Sequence, residues 1–344
     1  MKVPSHQAGP SLPPPRHTIV LLTTGAAFGF AMNKGQVYLP MIIMEQMAFQ
    51  RFTMMKMFVS ALGMSFLSKA VFRALQPDAF QRMQSSRATN PSTSTALILG
   101  GLVLGAGMTV SGSCPGSVYV QLGAQIPSAL ACLAGTALGA GIAGALRFRI
   151  ANWQKDKPKV ATTMPLTPMT HGLVGVACLS VAAMLEVMLP EPFTSTSTSW
   201  RPSVAGAVVG ALQLPMAFLL NKSLGASAGI KIALGEVSNA VCCAVGRPTS
   251  WLPRLSDASQ ALFVLGIIAG SYAATSPDAN GGVYPSTLRS VLGGAMIAFG
   301  ASLAGGCTSG HGLSGTAMLM SSSWLVLPSI FLGGMTTAAL QYLL

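Results

Sequence analysis

The chain has 344 residues, of which only 8% are charged and 51% are hydrophobic, and its mean hydropathy is +0.58. A soluble domain carries about 25% charged residues, so a chain this poor in charge cannot solvate its own surface and must turn most of it to lipid. Twenty Lys and Arg against eight Asp and Glu leave a formal charge of +12. Those cations sit between apolar blocks rather than on one face, which excludes a nucleic-acid module as well as a soluble enzyme and a disordered chain.

Met1–His17 contains four prolines within Pro10–Pro15 and no apolar core, so it reads as a flexible polar tail rather than a cleavable signal. Beyond it, apolar windows near Thr18–Ile43, Phe52–Ala70, Thr95–Leu122, Pro127–Leu146, His171–Leu189, Val204–Leu220 (extending irregularly to about Val245), Ala258–Ala274, Leu288–Leu313 and Trp324–Leu344 predict about nine spanning helices. The six cysteines lie in or beside these windows, with no CxxC or His/Cys ligand spacing, which argues against a disulfide framework or a zinc site.

The most informative pattern is internal. With Leu97–Leu146 set over Ser290–Ala339, Gly100, Gly101, Gly107, Gly112 and Cys114 fall on Gly293, Gly294, Gly300, Gly305 and Cys307. A weaker echo sets Gly25–Gly29 against Gly206–Gly210. The expected class is an all-α polytopic membrane protein. Residues 18–150 form a first membrane repeat, 151–200 a linker with a connecting span, and 201–344 a second repeat. An odd connecting span inverts the second repeat, a recurrent transporter architecture with its site at the repeat interface near the membrane midplane.

Glycine-interrupted apolar segments at matching positions of the two halves point to that site. In the first, Gly112-Ser113-Cys114-Pro115-Gly116-Ser117 interrupts a helix and lets Pro115 begin another. In the second, Gly305-Gly306-Cys307-Thr308-Ser309-Gly310-His311 does the same. Non-helical backbone at membrane depth is tolerated only where protein buries it or it lines a cavity. A half-helix N-terminus there offers N–H groups to an anion, and Ser113, Ser117, Thr308 and Ser309 add hydroxyls.

Two further stretches extend the candidate site: the end of the first span with Gly35 and Tyr38, and Asn221–Gly229 with Gly225 and Ser227. Cys132 and Cys178 read as buried apolar residues, and Cys242-Cys243 mainly so. Lys34 and Lys222 read as snorkelling cations, and Glu45 and Glu236 as partners of Lys56 and Lys231. The nine-span layout puts the basic loops around Lys69–Arg87, Arg147–Lys159 and Arg247–Arg254 on one side, which is either cytoplasmic by the positive-inside rule or an outer face that steers an anion.

Gly101–Ser117 and especially Leu303-Ala-Gly-Gly-Cys-Thr-Ser-Gly-His-Gly-Leu-Ser-Gly315 resemble the YeeE/YedE sulfur-transport family. The resemblance implies nine spans, four short helix–loop elements meeting at a constriction, and uptake of thiosulfate passed between cysteine S–H groups. Cys114 and Cys307 match two of three such cysteines; where the family's first motif has the third, this chain reads Gln36-Val37-Tyr38, so either Tyr38 or Gln36 donates instead or the conduction path differs from the family's. It also makes a small cytoplasmic sulfur-carrier protein a candidate partner. The expected function is transport of a small sulfur oxyanion, thiosulfate first, through a multi-pass protein of the cell membrane. No catalysis, cofactor or metal site is expected. Rival cargoes are sulfite, a selenium species or a soft metal ion handled by Cys and Met, and a rival class is a membrane dithiol redox or persulfide-transfer protein.

Overall fold

Helix α1 (Pro15–Lys34) opens on a proline at its first position, where the missing N–H would be unpaired in any case. It stops at Gly35, and after Gln36 takes a left-handed conformation a short α2 (Pro40–Met47) begins on a second proline. The apolar window from Thr18 is therefore two helices with a break between them. The computed structural model describes residues 13–88, 92–160, 163–190, 199–224, 258–276 and 282–343.

Helix α3 (Thr53–Leu75) is followed immediately by α4 (Pro77–Ala88), where the sequence pattern predicts only a loop. Helix α4 is amphipathic: Phe80 and Met83 are buried on the face that also carries Gln84 and Arg87. A minimal antiparallel ladder, β1 (Ser92–Thr93) with β2 (Lys159–Val160), pairs Ser92 with Val160 and is the only sheet among the described residues. Next comes α5 (Ser94–Ser111), N-capped by Thr93 Oγ1, which accepts the Ala96 N–H at 3.3 Å. The short α6 (Ser117–Gly123), α7 (Ala129–Ala145) and α8 (Arg147–Gln154) follow, with a 58° bend between the last two.

Helix α9 (Pro168–Met188) leads into α10 (Pro202–Ala211), α11 (Gln213–Leu220), α12 (Ser259–Ala274) and α13 (Thr287–Leu303). A π-helical turn at Ser309–Gly315 and α14 (Ser321–Leu343), which contains Pro328, complete the fold.

Glycine decides which helices touch. Helix α1 lies on α12 with Gly25 and Gly29 against the carbonyls of Phe263 and Ile267; α10 lies on α3 with Gly206 and Gly210 against those of Met57 and Ala61. Helix α7 meets α13 through Gly135 and Gly139, and α14 meets α5 through Gly105 and Gly333. Between these pairs α5 packs on α13, with Gly100 and Gly107 of one against Gly300 and Gly293 of the other. In lipid there is little hydrophobic drive between helices, and such small-residue stripes let backbones approach closely enough for dispersion and polar contacts to hold them. Asn33 shows the polar part: its amide donates to Ser271 O, Ser271 Oγ and Thr275 Oγ1 at 3.2, 3.1 and 2.9 Å, tying α1 to α12.

Five described helices are long and apolar enough to cross a bilayer, six if α7 with α8 counts as one bent span. Helix α9 stands at the edge, burying only His171, Gly175 and Ala182 while Leu173, Val176, Val181, Met184 and Val187 face outward. The chain is thus helical, apolar and multi-pass in character, as its composition implies.

Candidate functional site

The two glycine-cysteine breaks have the same local construction. Helix α5 ends at Gly112 with φ +61°, and the segment after α13 turns at Gly305 with φ +76°. These are the two described glycines with positive φ, and they occupy equivalent places in the sequence repeat. Two residues later each cysteine caps the next helical turn. Cys114 Sγ accepts the Ser117 N–H at 3.2 Å, and Cys307 Sγ accepts the Gly310 N–H at 3.4 Å. The carbonyls repeat the match: Cys114 O accepts from Val118 N–H and Cys307 O from His311 N–H, at 3.1 and 2.8 Å. The first cap is reciprocal, because the Cys114 N–H donates to Ser117 Oγ at 2.7 Å.

This capping redirects the helix N–H groups expected to face an anion: at Ser117 and Gly310 they go to sulfur. A thiol whose lone pairs accept from backbone N–H groups has its S–H left to donate. Cys114 itself, on the cavity wall, is what the first break presents to a ligand.

A cavity of about 80 Å³ lies between the breaks, with Cys114, Gly116 and Ser117 contributed by the first and Thr308 and Ser309 by the second. The rest of its lining is soft and apolar, chiefly Met32, Met54, Met57 and Met108, with Phe28, Phe58 and Phe331. Cys307 is fully buried just behind Ser309, whose hydroxyl lies 3.2 Å from its sulfur. Thr308 Oγ1 donates to Met108 Sδ at 3.6 Å.

The other candidate residues sit around this cavity and not on its wall. Ser113 is buried and bonded to Gln121, whose amide also donates to Tyr38 O at 2.7 Å and Gly112 O at 2.9 Å, locking the first break to the α1–α2 turn. Val37, not Tyr38, reaches the wall from that turn, and Gly35 packs on Ala205 of α10. Pro115, Gly305, Gly306 and Gly310 shape the two loops behind the wall. His311 is buried with both ring nitrogens engaged, Nδ1 with Ser323 Oγ at 3.0 Å and Nε2 with Ala304 O at 3.1 Å, so it clamps the second break to α14. Gly225 and Ser227, like Lys231, Glu236, Cys242 and Cys243, lie outside the described residues.

One pairing differs from the sequence reading. Glu45 pairs with Arg51 at 3.1 Å, not with Lys56, which donates to Leu189 O instead. Lys222 donates to Ser259 Oγ at 2.7 Å and Lys34 lies over the Phe30 ring.

The methionine wall and Arg87 went unrecognised in the sequence. Met54, Met57, Phe58 and Ala61 follow i, i+3, i+4, i+7 on α3, and Phe28 and Met32 are i, i+4 on α1. That spacing marks a face but does not say what the face looks at. Arg87 stands in a polar stretch that reads as loop charge, yet its Nη1 donates to Gly310 O at 3.0 Å, inside the second break.

A family model described as sulphur transport matches residues 34–336. The thiosulfate transporter TsuA of Escherichia coli (strain K12) is 26% identical, the match covering 93% of this chain and 94% of that protein. The protein of the same name from Spirochaeta thermophila (strain ATCC 700085 / DSM 6578 / Z-1203) is 24% identical, covering 92% and 97%. The family match takes in both breaks and all of the cavity wall outside α1's Phe28 and Met32, and the chain belongs to the sulphur-transport family.

Proposed function

We propose that this protein carries thiosulfate across the cell membrane through the cavity between the two cysteine-capped breaks. The observation that carries the reading is chemical: one small cavity is lined by Cys114, Ser117, Thr308 and Ser309 of the two breaks together with methionine and phenylalanine side chains. Thiosulfate has the matching halves, three charged oxygens and one polarizable terminal sulfur. Ser117, Ser309 and Thr308 would meet the oxygens and Cys114 would donate S–H, while the thioethers and rings accommodate the soft end. Cys307, behind Ser309, would take the anion next.

The architecture supports movement through the site. Helices α5 and α13, and α6 and the π-turn, begin and end within a residue of matching repeat positions, α7 and α14 begin at matching positions, and the main helix pairs exchange when the halves are exchanged. We read nine crossings in two inverted repeats, formed by α1, α3, α5, α7, α9, α10 with α11, α12, α13 and α14, with the site where the halves meet.

The test is uptake of isotope-labelled thiosulfate into proteoliposomes, with sulfate and sulfite as competitors. Saturable uptake that excess unlabelled thiosulfate suppresses and sulfate does not is the expected result; no uptake overturns the cargo. Cys114→Ser with Cys307→Ser is expected to lower uptake at least about tenfold, because a hydroxyl binds a soft sulfur poorly. Full uptake by the double variant would remove the cysteines from the path.

A further inference from the structure

We propose that Arg87 is a substrate-positioning cation of this transporter, holding the anion on the side of the constriction beyond Cys307. The inference rests on the transport reading above but assigns a residue that neither the repeat nor the cysteine motifs contain.

Position is the first support. The buried face of α4 docks on the second break: Gln84 Nε2 donates to Met318 O at 2.8 Å, and Arg87 Nη1 donates to Gly310 O at 3.0 Å. Gly310 is also the residue whose N–H caps Cys307 Sγ, so the guanidinium and that thiol lie on two sides of one peptide residue. Cys307 in turn lies within electrostatic range of both Arg87 and Cys114. Arg87 and Cys307 are thus joined through Gly310 of the second break, while Cys114 of the first lies on the cavity wall.

Charge is the second support. Arg87 makes no salt bridge with any described residue, and nor do Lys69 and Arg73 on the neighbouring end of α3. Lys69 is wholly buried with its Nζ 3.6 Å from Met83 Sδ, and Arg73 donates to Leu166 O at 2.8 Å. Burial pulls the Arg87 pKa below its ordinary value, while proximity to Cys307 acts the other way. A guanidinium remains protonated in proteins even so. Half-buried cations without carboxylates are costly, and where they recur beside a membrane pathway they mark the route of an anion. One hydrogen bond to Gly310 O uses one of five guanidinium donors, which leaves a fork able to bind two oxygens of a tetrahedral oxyanion.

Arg87→Gln and Arg87→Lys separate charge from architecture. Glutamine keeps an N–H donor for Gly310 O and loses the charge; lysine keeps the charge. If Arg87 positions substrate, Arg87→Gln raises the KM for thiosulfate about tenfold or more with smaller change in turnover, and Arg87→Lys restores KM to within about threefold of wild type. If Arg87 only braces the loop, glutamine performs as well as lysine, which overturns the assignment. In parallel, wild-type protein is treated with phenylglyoxal and the Arg87 peptide followed by mass spectrometry. Thiosulfate is expected to slow Arg87 modification at concentrations near KM, and absence of protection overturns the proposal without requiring any variant to fold. Wild-type protein that takes up sulfite but not thiosulfate, with the same Arg87 dependence, sinks the cargo and leaves the Arg87 assignment standing. Wild-type protein that moves none of these anions sinks both.

Discussion

At the scale of single residues, equivalent positions of the repeat carry unequal loads. Gly112 and Gly305 both have positive φ, which costs any residue with a Cβ roughly 1–2 kcal/mol. The space around them differs: a Cβ on Gly112 would meet Pro40 Cβ at 2.5 Å and Pro40 Cα at 2.7 Å, whereas one on Gly305 would meet only Ser92 Oγ at 3.3 Å. Gly305→Ala is therefore expected to cost about 1–2 kcal/mol, and Gly112→Ala to add overpacking of a further 1–3 kcal/mol or so. Thermal unfolding of the detergent-solubilised variants checks the order, and equal losses would contradict the account. The cysteines were legible in the sequence because they recur with their glycines. The duty of His311 was not, because only folding brings Ser323 and Ala304 to its two nitrogens.

Among the helices, contact is governed by stripes of glycine four residues apart. Gly25 and Gly29 face carbonyls of α12, and Gly206 and Gly210 face carbonyls of α3, so the faint echo between these stretches reflects one packing device used in both halves. A methyl group on Gly29 would run into Ile267 O, whereas one on Gly141 of α7 would meet nothing within 4 Å. Gly29→Ala is expected to lower stability by about 1–3 kcal/mol as the helices are forced apart. Gly141→Ala should be neutral or stabilising by up to about 1 kcal/mol through helix propensity. Melting temperatures of the pair, read side by side, decide the point. Helix α4 shows where pattern reading stops: its i, i+3, i+4, i+7 face is present in the sequence, but four cations and a proline nearby make the stretch look like a charged loop.

On the scale of the whole molecule, lipid is the solvent for the outer face of α9. Val176 lies near the middle of that helix and is half exposed, with Leu173 and Val181 beside it. In water a lysine there would be harmless. In a bilayer Val176→Lys is expected to cost about 2.5–3.5 kcal/mol of insertion free energy, seen as a loss of membrane-integrated protein on alkaline extraction. A variant that inserts as well as wild type would show that this face is not lipid-exposed. Helix α5 packs on α13, and residues of the breaks that follow these two helices line one cavity.

Composition, the apolar windows and the glycine-cysteine repeat were enough to determine a helical membrane protein with two equivalent interruptions, because hydropathy and recurrence are properties of the chain itself. Which atoms those interruptions present was decided by tertiary structure. Backbone N–H groups turn to the cysteine sulfurs, thioethers and rings from α1, α3, α5 and α14 line the cavity with them, and α4 folds back to set Arg87 against Gly310. The cysteine caps are local, three residues apart, but the other two join residues far apart in sequence, and no local pattern encodes which face of one helix a distant helix will meet.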